Sequence, residues 1–571
     1  MQLFKAMGTT ETGKKPSTNE TAPRFSGGGG GVLSRVTPVL LRTIALDVRS
    51  LAVARILFSV IVILDVYERV GDYEYFYTDR GVSPRSAVRE LLNGRDDFSL
   101  FLASGTHYWA AICFSLEFVA AVMFLVGYRT RLANVLLWFM VKSCQNRNLL
   151  LLNGGDTVLA VSLFWFAFLP MGNVLSIDAN VRRRGKIAEL PRKVVISGGS
   201  FALHMQLFCI YYFAASHKTG NTWKNGEAVY YVMQLDHFAK EPFATFIRSR
   251  EYLWRSLTYA TWMWQLVGAW LIFSPFCRDY VRPVVIVMFL LMHWGFYLGM
   301  ELGSFPWICA AVWIAMVPGC VWDSLGWNLR PCAAKSTSSP ELCSKAATDC
   351  TTLAKIRRSL PHVTAVFLAS VVFFWNLTSF PQCPVGLPVL YEKIAYALQL
   401  NQNLRFFSPN PFTEDGWFLL PAVLKSGREM ELWRDGLMNE APVLWASSEE
   451  QSTWNHTSHS PSSAAEQEAF ELSRIKPEHI SRTIKNMRWR KYIRLLSMPD
   501  WEPMRLHFGR GLCRLWNSRH HGQEQLREFM FVHMLEVNRG PGIPEDEVQP
   551  ILLWKHYCFS EDAPEANKRR K

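Results

Sequence analysis

The sequence predicts a polytopic α-helical membrane protein of about nine spans, followed by a mixed β/α extramembrane C-terminal region. Three observations predict it. Apolar stretches recur at lengths near the ~20 residues that cross a bilayer. Basic residues gather in alternate connections between those stretches. After residue 380 the chain turns to short mixed runs broken by Gly, Pro and Asp, the pattern of a β-rich unit.

Composition agrees with this reading. A chain of 571 residues exceeds one ordinary core, so more than one unit is expected. The 22 Trp and 37 Phe suit aromatic belts at both membrane interfaces. The net charge of +13 does not call for nucleic acid, because Lys and Arg sit in short runs between apolar segments and form no compact basic motif. The twelve cysteines are scattered, several within apolar runs, and no CxxC pair occurs, so neither a metal site nor a redox motif is expected.

Taken in order, residues 1–47 read as a disordered cytosolic tail. The first 34 are polar and carry a glycine run, Gly27–Gly31, and they lack the apolar core of a cleaved signal peptide. The membrane domain, 48–380, holds spans near 51–68, 108–127, 131–151, 157–175, 199–217, 257–276, 283–301, 305–322 and 361–380. Arg55 and Asp65, near the two ends of the first span, are expected to snorkel to the interfaces. Arg49, Arg129, Arg131, Arg182-Arg183-Arg184, Arg278, Arg282, Arg357 and Arg358 all fall in connections on one side if there are nine spans. That side is then cytosolic, and residues 381–571 form a lumenal or extracellular domain. Within it, Asn403–Leu420 and Gly427–Gly436 read as β-rich, and Ser447–Glu466 as a polar insert. The sequon Asn455-His456-Thr457 makes Asn455 a glycosylation acceptor on a lumenal tail. From Ser473 to Asn538 the pattern reads as helical and basic. There the Arg488–Tyr492 run RWRKY is taken as part of a solvated helix pair rather than a nucleic-acid surface.

Three features on the lumenal side can carry chemistry. The fifth span runs into His217 and Lys218, followed by Trp223, Asn225 and Gly226. Lys218 reads either as an interfacial anchor or as a pocket amine. Ionisable groups at membrane depth cost several kcal/mol and point to function by default. An apolar environment lowers a lysine pKa toward the range of a general base. The second feature is Gln145, Asn146, Arg147 and Asn148, then Asn153-Gly154-Gly155-Asp156. Asp156 can cap the next helix or take part in a site, and Arg147 can pair with it. The third is His293 within the seventh span, either a buried hydrogen-bonded group or a catalyst. No hydrolase, protease or nucleotide-binding signature occurs.

These residues carry a resemblance. Leu51–Val66, Phe76–Ala87, RNLLLLNGGD, YYFAASHKTGNTWKNGEA, HWGFYLGMELGSFPW and the Leu400–Phe412 segment are together similar to the horizontally transferred transmembrane domain (HTTM) family, over roughly residues 48–420. This is the superfamily of the vitamin K-dependent γ-glutamyl carboxylase. The resemblance implies a reaction in which a lysine deprotonates reduced vitamin K or another quinol. Oxygen then makes the epoxide, and the strong base formed takes a γ-proton from glutamate before CO2 adds. Under it, Lys218, His293 and His217 are the catalytic candidates. Trp223, Gly226, Arg147, Asn148, Asn153 and Asp156 are the substrate-binding ones. The K-x4-W-x2-G spacing is met by Lys218, Trp223 and Gly226. The partners implied are membrane lipid and a secretory protein substrate, and the address is the endoplasmic reticulum or another endomembrane. Asn153-Gly154-Gly155-Asp156 and Phe296 depart from the carboxylase, and Gln265 stands where HTTM proteins commonly have a glutamate in the sixth span, so a carboxylase-like enzyme and a non-catalytic lipid-binding, export or assembly protein both remain open.

Overall fold

The computed structural model describes residues 41–92, 98–184, 193–276, 278–327, 352–384, 386–432, 486–544 and 547–562, with residues 476, 477, 480 and 484. Asn455 and its polar insert, residues 1–40 and residues 328–351 lie outside the described residues.

Nine helices occupy the nine apolar stretches. They are α1 (Val48–Val70), α2 (His107–Val126), α3 (Thr130–Arg147), α4 (Gly154–Phe166), α5 (Gly198–Ser216), α6 (Glu251–Leu271), α7 (Arg278–Gly299), α8 (Phe305–Ile314) and α9 (Thr352–Leu377). Side chains that satisfy free backbone N–H groups set the starts of several of them. Asp47 accepts from Arg49 N at 2.8 Å ahead of α1, and Asn153 with Asp156 forms a capping box on α4. Among the described residues, four are long and apolar enough to cross a bilayer: α1, α2, α7 over Asp279–Gly299 and α9 over Ser359–Leu377. Nine crossings are therefore not shown. With 13 and 10 residues, α4 and α8 are too short for ~30 Å of hydrocarbon at 1.5 Å per residue. Polar residues dilute α3, α5 and α6. The long helices carry exposed apolar stripes at helical spacing, such as Ile112, Leu116 and Val119 on α2 and Val284, Val287 and Leu291 on α7. Such stripes suit lipid.

Buried along most of its length, α5 packs against α6 and α9, while α8 lies against α1, α4 and α7. At one end of the bundle a two-residue strand, β1 (Leu46–Asp47), pairs with β2 (Val194–Val195). Arg55 does not snorkel. It is fully buried and donates to the carbonyls of Phe124, Leu125 and Leu175, which closes the loop ends around it.

The C-terminal region docks on the opposite end. Its sheet is antiparallel and built on β6 (Leu526–Val537). One edge of β6 pairs with β3 (Glu414–Leu419) and then β4 (Pro421–Leu424), the other with β7 (Gln549–Tyr557), and β5 (Glu429–Glu431) extends β4. Two helices, α10 (Met487–Ser497) and α11 (Glu502–Arg519), complete it, and a Cys513–Cys558 disulfide ties α11 to the residue after β7. The basic, helical reading of 473–538 thus gives way at Leu526, where pairing on both edges overrides the local preference. Nor is α10 solvated: Trp489 and Tyr492 are buried against Phe76, with ring centroids 4.4 and 5.2 Å away.

Asp65 does not snorkel either; it holds Arg488 of α10. Arg69 donates to Asp65 at 2.7 Å and to Asp156 at 2.8 Å, and Arg488 donates to Asp65 and, at 3.4 Å, to Asp156. All four side chains are at most 7% exposed. A buried ion cluster of matched charge tolerates loss of one member poorly, because the remaining charge is left unpaired. Arg488→Met should therefore destabilise the protein by about 3–5 kcal/mol. Thermal unfolding in detergent checks this, and Arg488→Met with Asp65→Asn should recover part of the loss.

Candidate functional site

The C-terminal end of α5 delivers Lys218. His217 is the helix C-cap, and Lys218 follows at 3% exposure. The Lys218 Nζ donates to the Ala214 carbonyl at 2.8 Å, one of the carbonyls that a helix end leaves free. It also sits 5.0 Å from the Trp223 ring centroid. A cation over an indole face is favourable, so Trp223 favours the protonated ammonium. Burial pushes the Lys218 ammonium down to about 7.

A segment far along the chain braces the loop that follows. Trp223 Nε1 donates to the Phe407 carbonyl at 2.9 Å, Gly220 N to the Pro409 carbonyl at 3.1 Å, and Thr222 Oγ1 to Asn410 Oδ1 at 2.9 Å. Gly226 closes the loop at φ +79°, where a Cβ would fall 2.8 Å from Tyr259. Its place in the lysine–tryptophan–glycine spacing is therefore conformational.

Lys218, Trp223, His293 and Asn153 line one cavity of about 480 Å3, within the usual range for small-molecule sites. The walls are mostly apolar, with Phe296, Phe305, Phe406 and Phe407 among them. At Gly154 a Cβ would come 2.5 Å from Phe406, so glycine is what lets that ring close the wall. Trp313 Nε1 donates to the Tyr211 hydroxyl at 2.8 Å, and the same hydroxyl meets His293 Nε2 at 2.8 Å. The Tyr211 O–H is then free to donate to Nε2, which places the imidazole proton on Nδ1. That Nδ1 and the Gln265 Oε1, both on side chains lining the cavity, have no hydrogen-bond partner among the described residues.

The other expected site residues stand elsewhere. His217 Nε2 bonds Ser379 Oγ at 2.8 Å and its ring stacks on Phe380, off the cavity lining. Arg147 does not pair with Asp156. It donates to the Ser83 and Thr78 carbonyls at 2.8 and 3.4 Å, and Asp156 is taken up by its cap and by Arg69 and Arg488. The Asn148 Oδ1 accepts from Leu150 N at 3.2 Å in a turn. Three basic groups on the cavity lining, Arg490, Lys491 and Arg494, come from the run that reads as a solvated helix. The signal that finds them is the interleaving of Trp489 and Tyr492, two large apolar rings that must be covered. Among the described residues no group of three His, Cys, Asp or Glu is placed to hold a metal.

The depressed Lys218 pKa has a definite sign in stability. Between about 7 and the ordinary lysine value the unfolded chain holds a proton that the folded one lacks, so stability rises with pH across that window. Lys218→Met should stabilise the protein most below pH 7, and its advantage should shrink as pH climbs toward 10. Thermal melts of both proteins from pH 6 to 10 check this.

Residues 44–318 match the family model of the HTTM domain. No curated protein and no solved structure matches the chain. The matched segment contains Asn153, Lys218, Trp223 and His293 and stops before α9, the sheet and α10. The chain therefore carries an HTTM domain, the domain of vitamin K-dependent carboxylase-like proteins.

Proposed function

We propose that the protein is an integral membrane enzyme of the carboxylase-like class in which Lys218 is the general base acting on a weakly acidic, apolar substrate, a reduced quinol such as reduced vitamin K. The observation that carries it is a buried amine with a pKa near neutrality on the lining of a mostly apolar cavity. A base is most effective when its pKa lies near ambient pH.

The residues present fit such a ligand. Aromatic walls suit a flat ring, and the unpartnered His293 Nδ1 and Gln265 Oε1 offer a donor and an acceptor for its oxygens. When bound, a reduced quinol supplies the electrons for reaction with oxygen. The neutral Lys218 amine receives the proton, and the Ala214 carbonyl and the Trp223 face hold the resulting ammonium. His293, held through Nε2 by Tyr211, orients the ligand through Nδ1. The apolar walls exclude water, which keeps the amine's pKa low.

The cavity belongs to the end of the bundle that carries the C-terminal region, which we assign to the lumenal or extracellular side, with the N-terminus cytosolic. The Cys513–Cys558 disulfide supports an oxidising compartment for that region. The basic connections at the other end support a cytosolic face there. An endomembrane address, glycosylation at Asn455, a lipid surround and a secretory protein as acceptor belong to the same proposal.

The test is oxygen-dependent consumption of a reduced naphthoquinone by purified protein. Wild-type turnover should rise as pH passes about 7, where Lys218 loses its proton. Lys218→Ala should lower turnover by ~100-fold or more and remove that pH limb, as expected for loss of a general base. Folded wild type without turnover, or Lys218→Ala with full turnover, would overturn the proposal.

A further inference from the structure

The C-terminal region gives the cavity a lining of one charge sign. Arg490, Lys491 and Arg494 reach it from a single helix, α10, and Arg405 from the segment before β3. Among the described residues no aspartate or glutamate lines the cavity. Lys491 has no hydrogen bond or ion pair among the described residues, and its ammonium is held down by burial and by Arg494 beside it. The Arg494 guanidinium lies 4.2 Å from the Phe412 ring centroid and 5.3 Å from that of Phe238, with rings in place of a carboxylate. Asp415 and Glu414 act on Arg494, but neither makes a hydrogen bond or ion pair with it among the described residues. Burial and Asp236 push Asp415 up to about 8, so it is protonated at neutral pH. Its 3.6 Å neighbour His237 is kept neutral by burial, so that contact is not an ion pair.

Partly buried cations such as Lys491 and Arg494, with no carboxylate in direct contact among the described residues, are costly, and the cost is recovered when an anion binds. A guanidinium fork beside an ammonium suits phosphate or carboxylate oxygens. A free inorganic anion would leave the aromatic walls wet, and a neutral apolar ligand would leave the cations uncompensated. We infer that the cavity binds a single-chain amphiphile with an anionic head group, phosphate or carboxylate, the head held by Lys491 and Arg494 and the chain lying along Phe296, Phe305 and Phe406. This inference rests on the reading of the cavity as the substrate site and adds a second ligand class to it. It does not depend on Lys218 being the base.

The experiment is ligand binding by the full chain in a neutral, nonionic detergent, followed by thermal shift. The probes are dodecyl phosphate, dodecanoate, dodecanol and inorganic phosphate. The expected result is that dodecyl phosphate or dodecanoate binds at least about tenfold tighter than dodecanol and than inorganic phosphate. The tighter of the two names the head group. Lys491→Gln with Arg494→Gln should abolish that preference, and Lys491→Gln alone should reduce it if the double variant melts early without ligand. Lys218→Ala should keep the preference even where quinol turnover is lost, which separates this inference from the base proposal. Dodecanol binding as tightly as the anionic chains would overturn it, as would inorganic phosphate doing so. An unchanged preference in the folded Lys491→Gln, Arg494→Gln variant would overturn it too.

Discussion

The buried quartet of Asp65, Arg69, Asp156 and Arg488 is the constraint on which the arrangement of this protein depends. Two carboxylates from α1 and α4 meet one guanidinium from α1 and one from α10, with Tyr77 accepting a further bond from Arg69 at 2.6 Å. The cluster balances only when Arg488 is present, so the C-terminal region is an electrostatic member of the membrane domain rather than an appendage. Fixing Arg488 also fixes the rotation of α10. Arg490, Lys491 and Arg494, at two, three and six positions further along the same helix, then reach the cavity instead of water.

Lys218 is positioned by similarly distant partners. Its helix, α5, is buried between α6 and α9, and its loop is held by Phe407, Pro409 and Asn410, nearly two hundred residues later in the chain. What makes the amine distinctive is what surrounds it: a carbonyl, an indole face and apolar walls, with no carboxylate paired to it among the described residues. Those surroundings lower the amine's pKa, because water, which would favour the charged form, is excluded.

Much of this was legible in the sequence, and the limits are physical. The nine helices follow from apolar stretches, and Lys218, Trp223, Asn153 and His293 do share one cavity. Hydropathy could not distinguish helices that cross from α4 and α8, which are helical over only part of their apolar stretch. Nor could it reveal that Arg55 and Asp65 point inward, since a charge near a helix end reads the same whether it meets water or a buried partner. Arg488 lies 423 positions from Asp65, and no local pattern encodes a pairing at that separation. His217 and Arg147 look like site residues because of their neighbours in sequence, yet each is occupied in holding a loop or a helix end.

The cavity is made by two parts of the chain, and only one of them falls inside the HTTM match. Lys218, Trp223 and His293 lie within residues 44–318, whereas Arg405, Arg490, Lys491 and Arg494 lie beyond it. The buried amine and the basic wall thus come from different segments of the chain. A chain can exchange the region after residue 318, keep Asp65 and Asp156 as its socket, and present a different wall to the same lysine.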